Sequence, residues 1–337
     1  MVTLKDIALH CGVSIASVSK AINHMPGVGQ KTAQRIRETA KAFGYLPNAA
    51  AQSLRTNRSF TIGVLLLDEN NQSLLNGFFA VMLEGFKIRM EEQGYDLMLL
   101  NRTVGKRTVT ILEHCRYSNL DGVFVACIDF SDPELLELAA SDVPLVSVDH
   151  AFKGHSCVYS DNEDGIYQAV MHAAAQGHSK IAFILGGKSG VTDKRLIGYK
   201  KALKELGIPE RAEYIVQSCY RDVQRTFEAT QKLLALDDRP TCILMPDDHA
   251  AHGGQLALRH AGLKVPDDIS IIGFDGLEYF NYISPRLCTV SQDAGQIGQK
   301  SADLLINAIE NKTGEMKPAS VTIPVKLVKG ETVAPIT

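Results

Sequence analysis

From residue 61 onward, short apolar runs alternate with amphipathic stretches: TIGVLLL, YDLMLL, GVFVA and PLVSV, then KIAFIL, YIVQS, TCILM and ISIIGF. Runs of this length are strands, and the stretches between them carry helical periodicity, so the pattern demands βαβ units around parallel sheets. The first set ends near Val148, a loosely patterned crossing runs through SCVYSDNEDG, and the second set begins at Lys180. Two α/β subdomains are the natural parse. A helix over about 294–311 and the closing segment SVTIPVKLVKG follow, which brings the chain back between the subdomains and makes a hinge around a cleft.

The 337 residues exceed what one hydrophobic core organises, so a further domain is expected ahead of this region. Residues 1–60 hold eight Lys/Arg against only Asp6 and Glu38, whereas the other 277 carry 27 against 36. A small basic module on an acidic body points to a polyanion partner for the module alone. Its pattern is helical. Leu4, Ile7, Ala8 and Cys11 repeat at helical spacing behind Thr3 as N-cap and Asp6 as its partner. Gly12 breaks that helix, Ser14 caps a second over 15–23, and a third runs over about 31–43 on Ile36, Ala40 and Phe43. Helix, tight turn and helix is the layout that puts the second helix into the DNA major groove. Val18 and Ile22 would face inward, leaving Ser14, Ile15, Ala16, Ser17, Ser19 and Lys20 outward. Exposed Ile15 and Ala16 at a helix start suit thymine methyls better than water; Lys20 reaches a guanine edge or a phosphate, and Ser14, Ser17 and Asn23 position the DNA backbone.

The run VTLKDIALHCGVSIASVSKAIN resembles the opening of the lactose-repressor-like (LacI/GalR) transcriptional regulators, and the resemblance continues through KTAQRIRETAKAFGYLPNAAAQSLRTNRSFTIGVLL. GHSKIAFILGG, KRLIGYKKAL, PDDHAAHGGQLAL, VPDDISIIGFDG and SPRLCTVSQ extend it over nearly the whole chain. It implies an all-α helix-turn-helix domain followed by an α/β domain, like periplasmic sugar-binding proteins, of two parallel-sheet subdomains. The expected parts are a DNA-binding domain at 1–47, a hinge helix and linker at 48–60, and an effector-binding and dimerisation domain at 61–337. Within the last, one subdomain covers about 61–158 plus 292–318 and the other about 161–289 plus 321–337. Lys20 stands where the family has Arg, Ser17 where it has Thr, and Gly29 where a Ser caps the third helix.

The segment 48–56, NAAAQSLRT, is small and helix-favouring, yet too short to be a stable isolated helix. The resemblance implies that it folds on operator DNA against a partner copy and wedges Leu54 into the minor groove. Thr3, Asn48, Ala51 and Arg55 join the implied DNA contacts. Pairing of two copies implies a homodimer on a pseudo-palindromic site in double-stranded DNA.

Ligands of open α/β folds bind at the carboxyl ends of strands, where Asp149, Asp247, Asp248 and Asp275 fall. An Asp there also serves simply to cap the next helix. By resemblance Asp275 and Arg195 bind the effector, with Asp149 and Asp247 facing the same cleft; acceptors plus an Arg fork suit sugar hydroxyls. Phe79 and Tyr220 are candidate aromatic walls, although a Phe in LNGFFAVMLEGF serves equally well as core. The stretch DENNQSLLNGFF carries about five residues more than the family pattern, with Gly77 in place of its Pro.

Three other classes fit less well. His249 and His252 are three apart and no GxxxxGK[ST] or GxSxG motif occurs, so neither an enzyme nor a metal site nor a cofactor is expected. A solute-binding protein leaves the basic module unexplained, and a body answering to a partner protein keeps the DNA function but changes its input. Seven cysteines lack any CxxC pair and read as reduced, buried thiols. With no apolar run near 18 residues and no leader pattern, a cytoplasmic protein without membrane spans is expected.

Overall fold

The computed structural model describes residues 2–46, 58–66, 77–126, 129–310 and 317–336. The segment 48–56, with Asn48, Ala51, Leu54 and Arg55, lies outside them, as do Cys127 and residues 67–76. The chain divides into two compact units, Met1–Ser59 and Phe60–Thr337.

Among the described residues, the first unit holds α1 (Leu4–Cys11), α2 (Ile15–Ile22) and α3 (Gln30–Ala42). Thr3 and Asp6 close a reciprocal capping box on α1, with the Thr3 N–H donating to Asp6 Oδ2 at 2.8 Å. Gly12 ends the helix at φ 61, in the left-handed region, and Ser14 caps α2 through the Ser17 N–H. The small core consists of Ile7, Ala8, Cys11, Val18, Ala21, Ala33, Ile36 and Ala40. Ile22 packs against this core, half-buried, and Ala21 beside it is buried within the core as well. Two of the basic residues have structural roles: Arg35 donates to the Cys11 carbonyl at 2.8 Å and Arg37 to the Ala21 carbonyl at 3.1 Å, tying α3 to the ends of α1 and α2.

The second unit has two lobes. The first is a six-stranded sheet built from β1 (Thr61–Leu66), β2 (Asp96–Leu99), β5 (Gly122–Ala126), β6 (Leu145–Val148), β7 (Ser156–Ser160) and β13 (Ser320–Ile323). Its order is β13-β7-β6-β5-β1-β2, all parallel. A two-stranded ribbon of β3 (Thr103–Val104) and β4 (Arg107–Thr108) follows β2. One face is covered by α4 (Gly77–Glu92) and α11 (Ala294–Glu310), the other by α5 (Ile111–Tyr117) and α6 (Pro133–Ala139). The second lobe repeats the plan with β8 (Ile181–Leu185), β9 (Ile215–Gln217), β10 (Cys242–Leu244), β11 (Ser270–Asp275), β12 (Cys288–Gln292) and β14 (Val325–Val328), in the order β14-β12-β11-β10-β8-β9. Only β14 runs antiparallel. Helices α7 (Asn162–Ala175) and α8 (Gly190–Leu206) pack on one face, α9 (Val223–Leu234) and α10 (Asp248–His260) on the other. In both lobes the strand order reverses beside the first strand, which opens a crevice at the carboxyl ends.

Two expectations need correction. SCVYS is no loose crossing but β7, paired with β6 and β13; its Ser, Cys and Tyr are accepted because the strand is sandwiched between neighbours. The last return between lobes also falls later than residues 318–321, because Ser320–Ile323 completes the first sheet and only Val325 onward joins the second. The crossings lie together: the Asp161 N–H donates to the Ile323 carbonyl at 3.0 Å.

Candidate DNA-reading helix and effector cleft

On the first unit, the outward face of α2 is as the spacing requires. Ile15 is 48 % exposed, Ala16 and Lys20 are exposed, and Ser17 and Ser19 are half-covered. Three other candidates are already engaged within the unit. Thr3 and Ser14 use their hydroxyls on helix caps, and Asn23 donates its side-chain amide to the Ser19 carbonyl at 2.7 Å. Ile15, Ala16 and Lys20, in contrast, present exposed side-chain surface.

In the second unit, Arg195 is the centre of charge. It lies on α8, is 4 % exposed, and rests over the Phe274 ring at 3.5 Å. Its Nε donates to Asn162 Oδ1 at 2.7 Å and Nη1 to the Pro246 carbonyl at 2.6 Å, so the guanidinium is held in one orientation from both the lobe crossing and a strand end. Around it stand Asp149, Asp247 and Asp275; burial raises the pKa of each carboxyl, and the Arg195 charge opposes that rise.

Each carboxylate follows a strand, and each is held differently. Asp149 follows β6 at φ 64; its Oδ1 is buried without a partner, and burial pushes its pKa up to about 6 against the pull of Arg195. Asp247 caps α10 through the Ala250 N–H at 2.7 Å and uses its other oxygen on the Arg221 N–H at 2.7 Å. Asp275 ends β11 at φ 125 and accepts from Gln292 Nε2 at 2.7 Å. Burial, then the neighbouring Asp247 and Asp248, hold the Asp275 carboxyl well above the usual carboxylate range. Tyr220 packs its ring on Gly186 and bonds Thr192 Oγ1 at 2.8 Å, with Arg195 5.4 Å from its centroid. Phe79 is half-buried near the start of α4, with the Arg221 guanidinium 5.5 Å from its ring.

Arg195 thus gathers Asp149, Asp247, Asp275 and Tyr220 into one buried polar cluster, with Phe79 against Arg221. Sequence reasoning missed Asn162, Gln292, Ser160 and Arg221. Ser160 ends β7 with its hydroxyl buried and unpartnered, while its backbone N–H draws the Asp149 carboxyl toward the charged form. Asn162 and Ser160 lie in the run read as a crossing, and recognising SCVYS as a strand would have put both at a carboxyl end. Among the described residues, five cysteines are buried as expected and Cys219 is half-exposed with Arg225 Nη1 2.7 Å from its sulfur. No helix among them is long and apolar enough to cross a membrane.

A three-helix unit presenting one helix face, followed by two lobes closing on a polar cleft, defines a DNA-binding regulator with a ligand-binding domain. A family model described as bacterial regulatory proteins, lacI family, matches residues 3–48, and one described as a periplasmic binding protein-like domain matches residues 170–333. The chain belongs to the lacI family of bacterial regulatory proteins. It is 32% identical over 324 residues to the HTH-type transcriptional repressor PurR of Photobacterium profundum, covering 94% of this chain and 95% of that protein. It is 30% identical over 327 residues to PurR of Vibrio cholerae serotype O1, covering 94% of each. Among solved structures, the Lac repressor dimer bound to operator and the anti-inducer ONPF matches with TM-score 0.82 at 28% identity over 99% of both chains. A LacI family transcriptional regulator from Enterococcus faecium with bound ribose matches with TM-score 0.70 at 28% identity, covering 82% of this chain and 100% of that one.

Proposed function

We propose that the protein is a homodimeric, cytoplasmic repressor, not an enzyme, that reads a pseudo-palindromic operator and releases or tightens on it when a carbohydrate enters the cleft. Ile15, Ala16 and Lys20 read the major groove, Thr3, Ser14, Ser17, Ser19 and Asn23 set the register on phosphates, and the segment with Asn48, Ala51, Leu54 and Arg55 meets the minor groove. Asp275, Asp149, Asp247 and Arg195 bind the ligand between Phe79 and Tyr220.

The observation that supports the ligand class is the pair of buried polar atoms without partners, Asp149 Oδ1 after β6 and Ser160 Oγ at the end of the adjacent β7, close to the carboxylates gathered around Arg195. Unpaired buried polar atoms cost about 1–3 kcal/mol each, and sugar hydroxyls supply the missing donors. The test is binding to the protein's own upstream promoter DNA under a salt titration, with D-ribose, cellobiose and other free sugars added in turn. Tight, salt-sensitive binding that one sugar shifts is the expected result, with Asp275→Ala abolishing the shift and Leu54→Ala abolishing sequence specificity. Specific binding that no small molecule alters would replace the sugar with a partner protein as the input; absence of specific binding would undo the whole reading.

A further inference from the structure

Resting on Asp275 as an effector contact, we propose that Asp248 is a positioning residue that ties Asp275 to the first lobe through the turn Asp275–Gly276–Leu277. Asp248 opens α10 but is not its cap, since Asp247 takes that role. It is 0 % exposed, so its carboxylate meets neither water nor ligand. Its Oδ2 accepts from the Leu277 N–H at 2.8 Å and its Oδ1 from Thr289 Oγ1 at 2.5 Å, with the Gly276 N–H adding a third donor. Burial is the main force pushing its pKa up to about 7; the Thr289 and Leu277 bonds oppose it, and Asp247 adds to it. Strand β11 makes room for the group: a side chain at Gly273 would begin 2.2 Å from Oδ1.

What the anchor holds is a turn of two positive-φ residues, of which only Asp275 is strained. Asp275 sits at φ 125 and Gly276 at φ 75, where a side chain would also meet Ser291 Oγ at 2.4 Å. A non-glycine residue in such a region persists only when its surroundings over-determine it. The next residue, Leu277, packs against the apolar cores of both lobes, and a side chain at Gly77 would lie 3.3 Å from its Cδ2. Consecutive residues thus supply a ligand acceptor, a forced bend and an interlobe contact. With the Gly276 and Leu277 N–H groups held, the turn cannot absorb a displacement of Asp275, so the displacement passes to Leu277 and the first turn of α4, where Phe78 and Phe79 lie.

Hydrogen exchange of the full chain without ligand tests this. Asp248→Asn is expected to speed exchange about tenfold or more over 272–280 and also over 77–86, which Asp248 does not touch, while leaving 223–234 and 2–46 unchanged. Thr289→Val, which keeps the carboxylate and removes one donor, should give the same pattern at smaller amplitude and decides the matter if Asp248→Asn does not fold. In a Leu277→Ala background, Asp248→Asn should add nothing at 77–86, because the link is already cut. Faster exchange at 272–280 with wild-type rates at 77–86 would overturn the proposal, as would a uniform increase across 60–337. No effector enters these measurements, so an error in assigning Asp275 shows only in the operator assay.

Discussion

Asp149 shows how far a single residue can be taken. Its backbone is left-handed, one carboxyl oxygen is buried without a donor, and its pKa lies at about 6 instead of the unfolded value near 4. A folded-state pKa raised in this way contributes stability below about pH 4 that is lost as the pH rises through 6. The unliganded protein should therefore lose stability relative to Asp149→Asn between pH 4 and 7, by at most about 3 kcal/mol at about 1.4 kcal/mol per pKa unit. Denaturant midpoints of both proteins at about pH 4.5, 5.5 and 7 measure this; parallel profiles would mean that the carboxylate is solvated or paired after all. Arg195 is the opposite case, since its donors are already held by Asn162 and Pro246 and its plane by Phe274.

At the scale of elements, α4 and α11 approach each other backbone to backbone. A side chain at Gly298 would begin 2.0 Å from the Met82 carbonyl oxygen, and one at Gly85 would begin 2.4 Å from that of Gly295. Both neighbours are backbone, so neither gives way. Gly298→Ala should push the helices apart and cost about 1–3 kcal/mol, read as a lower unfolding midpoint of the second unit. Gly295→Ala, whose added carbon meets only Asp293 at 3.8 Å, is the tolerant control. None of this was visible in the sequence, which does not show which helix faces meet. What was legible was local: the capping box at Thr3 and Asp6, the break at Gly12 and the apolar runs that became strands all depend on residues within a few positions. What was not legible depends on distant partners. Asn162 matters because Arg195, 33 residues away, reaches it, and Gln292 matters because β11 and β12 are neighbours. The apolar content of SCVYS alone could not reveal a strand whose burial comes from β6 and β13.

For the whole molecule, the division at Ser59 and Phe60 separates two sets of cores that share no residue among those described. Removing residues 1–59 should leave a folded protein whose unfolding midpoint and sugar response match those of the second unit in the intact chain, followed by calorimetry and intrinsic fluorescence. Aggregation of that fragment would show that the boundary cuts a shared core. The charge division has the same sense, because the excised module takes with it eight basic side chains, Arg58 included, and leaves an acidic body.

The late completion of the first sheet carries a consequence for biosynthesis. Strand β13 and helix α11 supply the edge and much of one face of the first lobe, including Ile297, Ala302, Leu305 and Ile309 in its core, yet they are made only after β8 to β12 of the second lobe. While the ribosome is still translating the second lobe, the first has an open strand edge and an uncovered apolar face. Only the small N-terminal unit has all of its core residues early. The nascent regulator therefore has a finished DNA-reading module while its body is still incomplete, and the first lobe closes only once the Ala294–Glu310 helix and β13 have emerged.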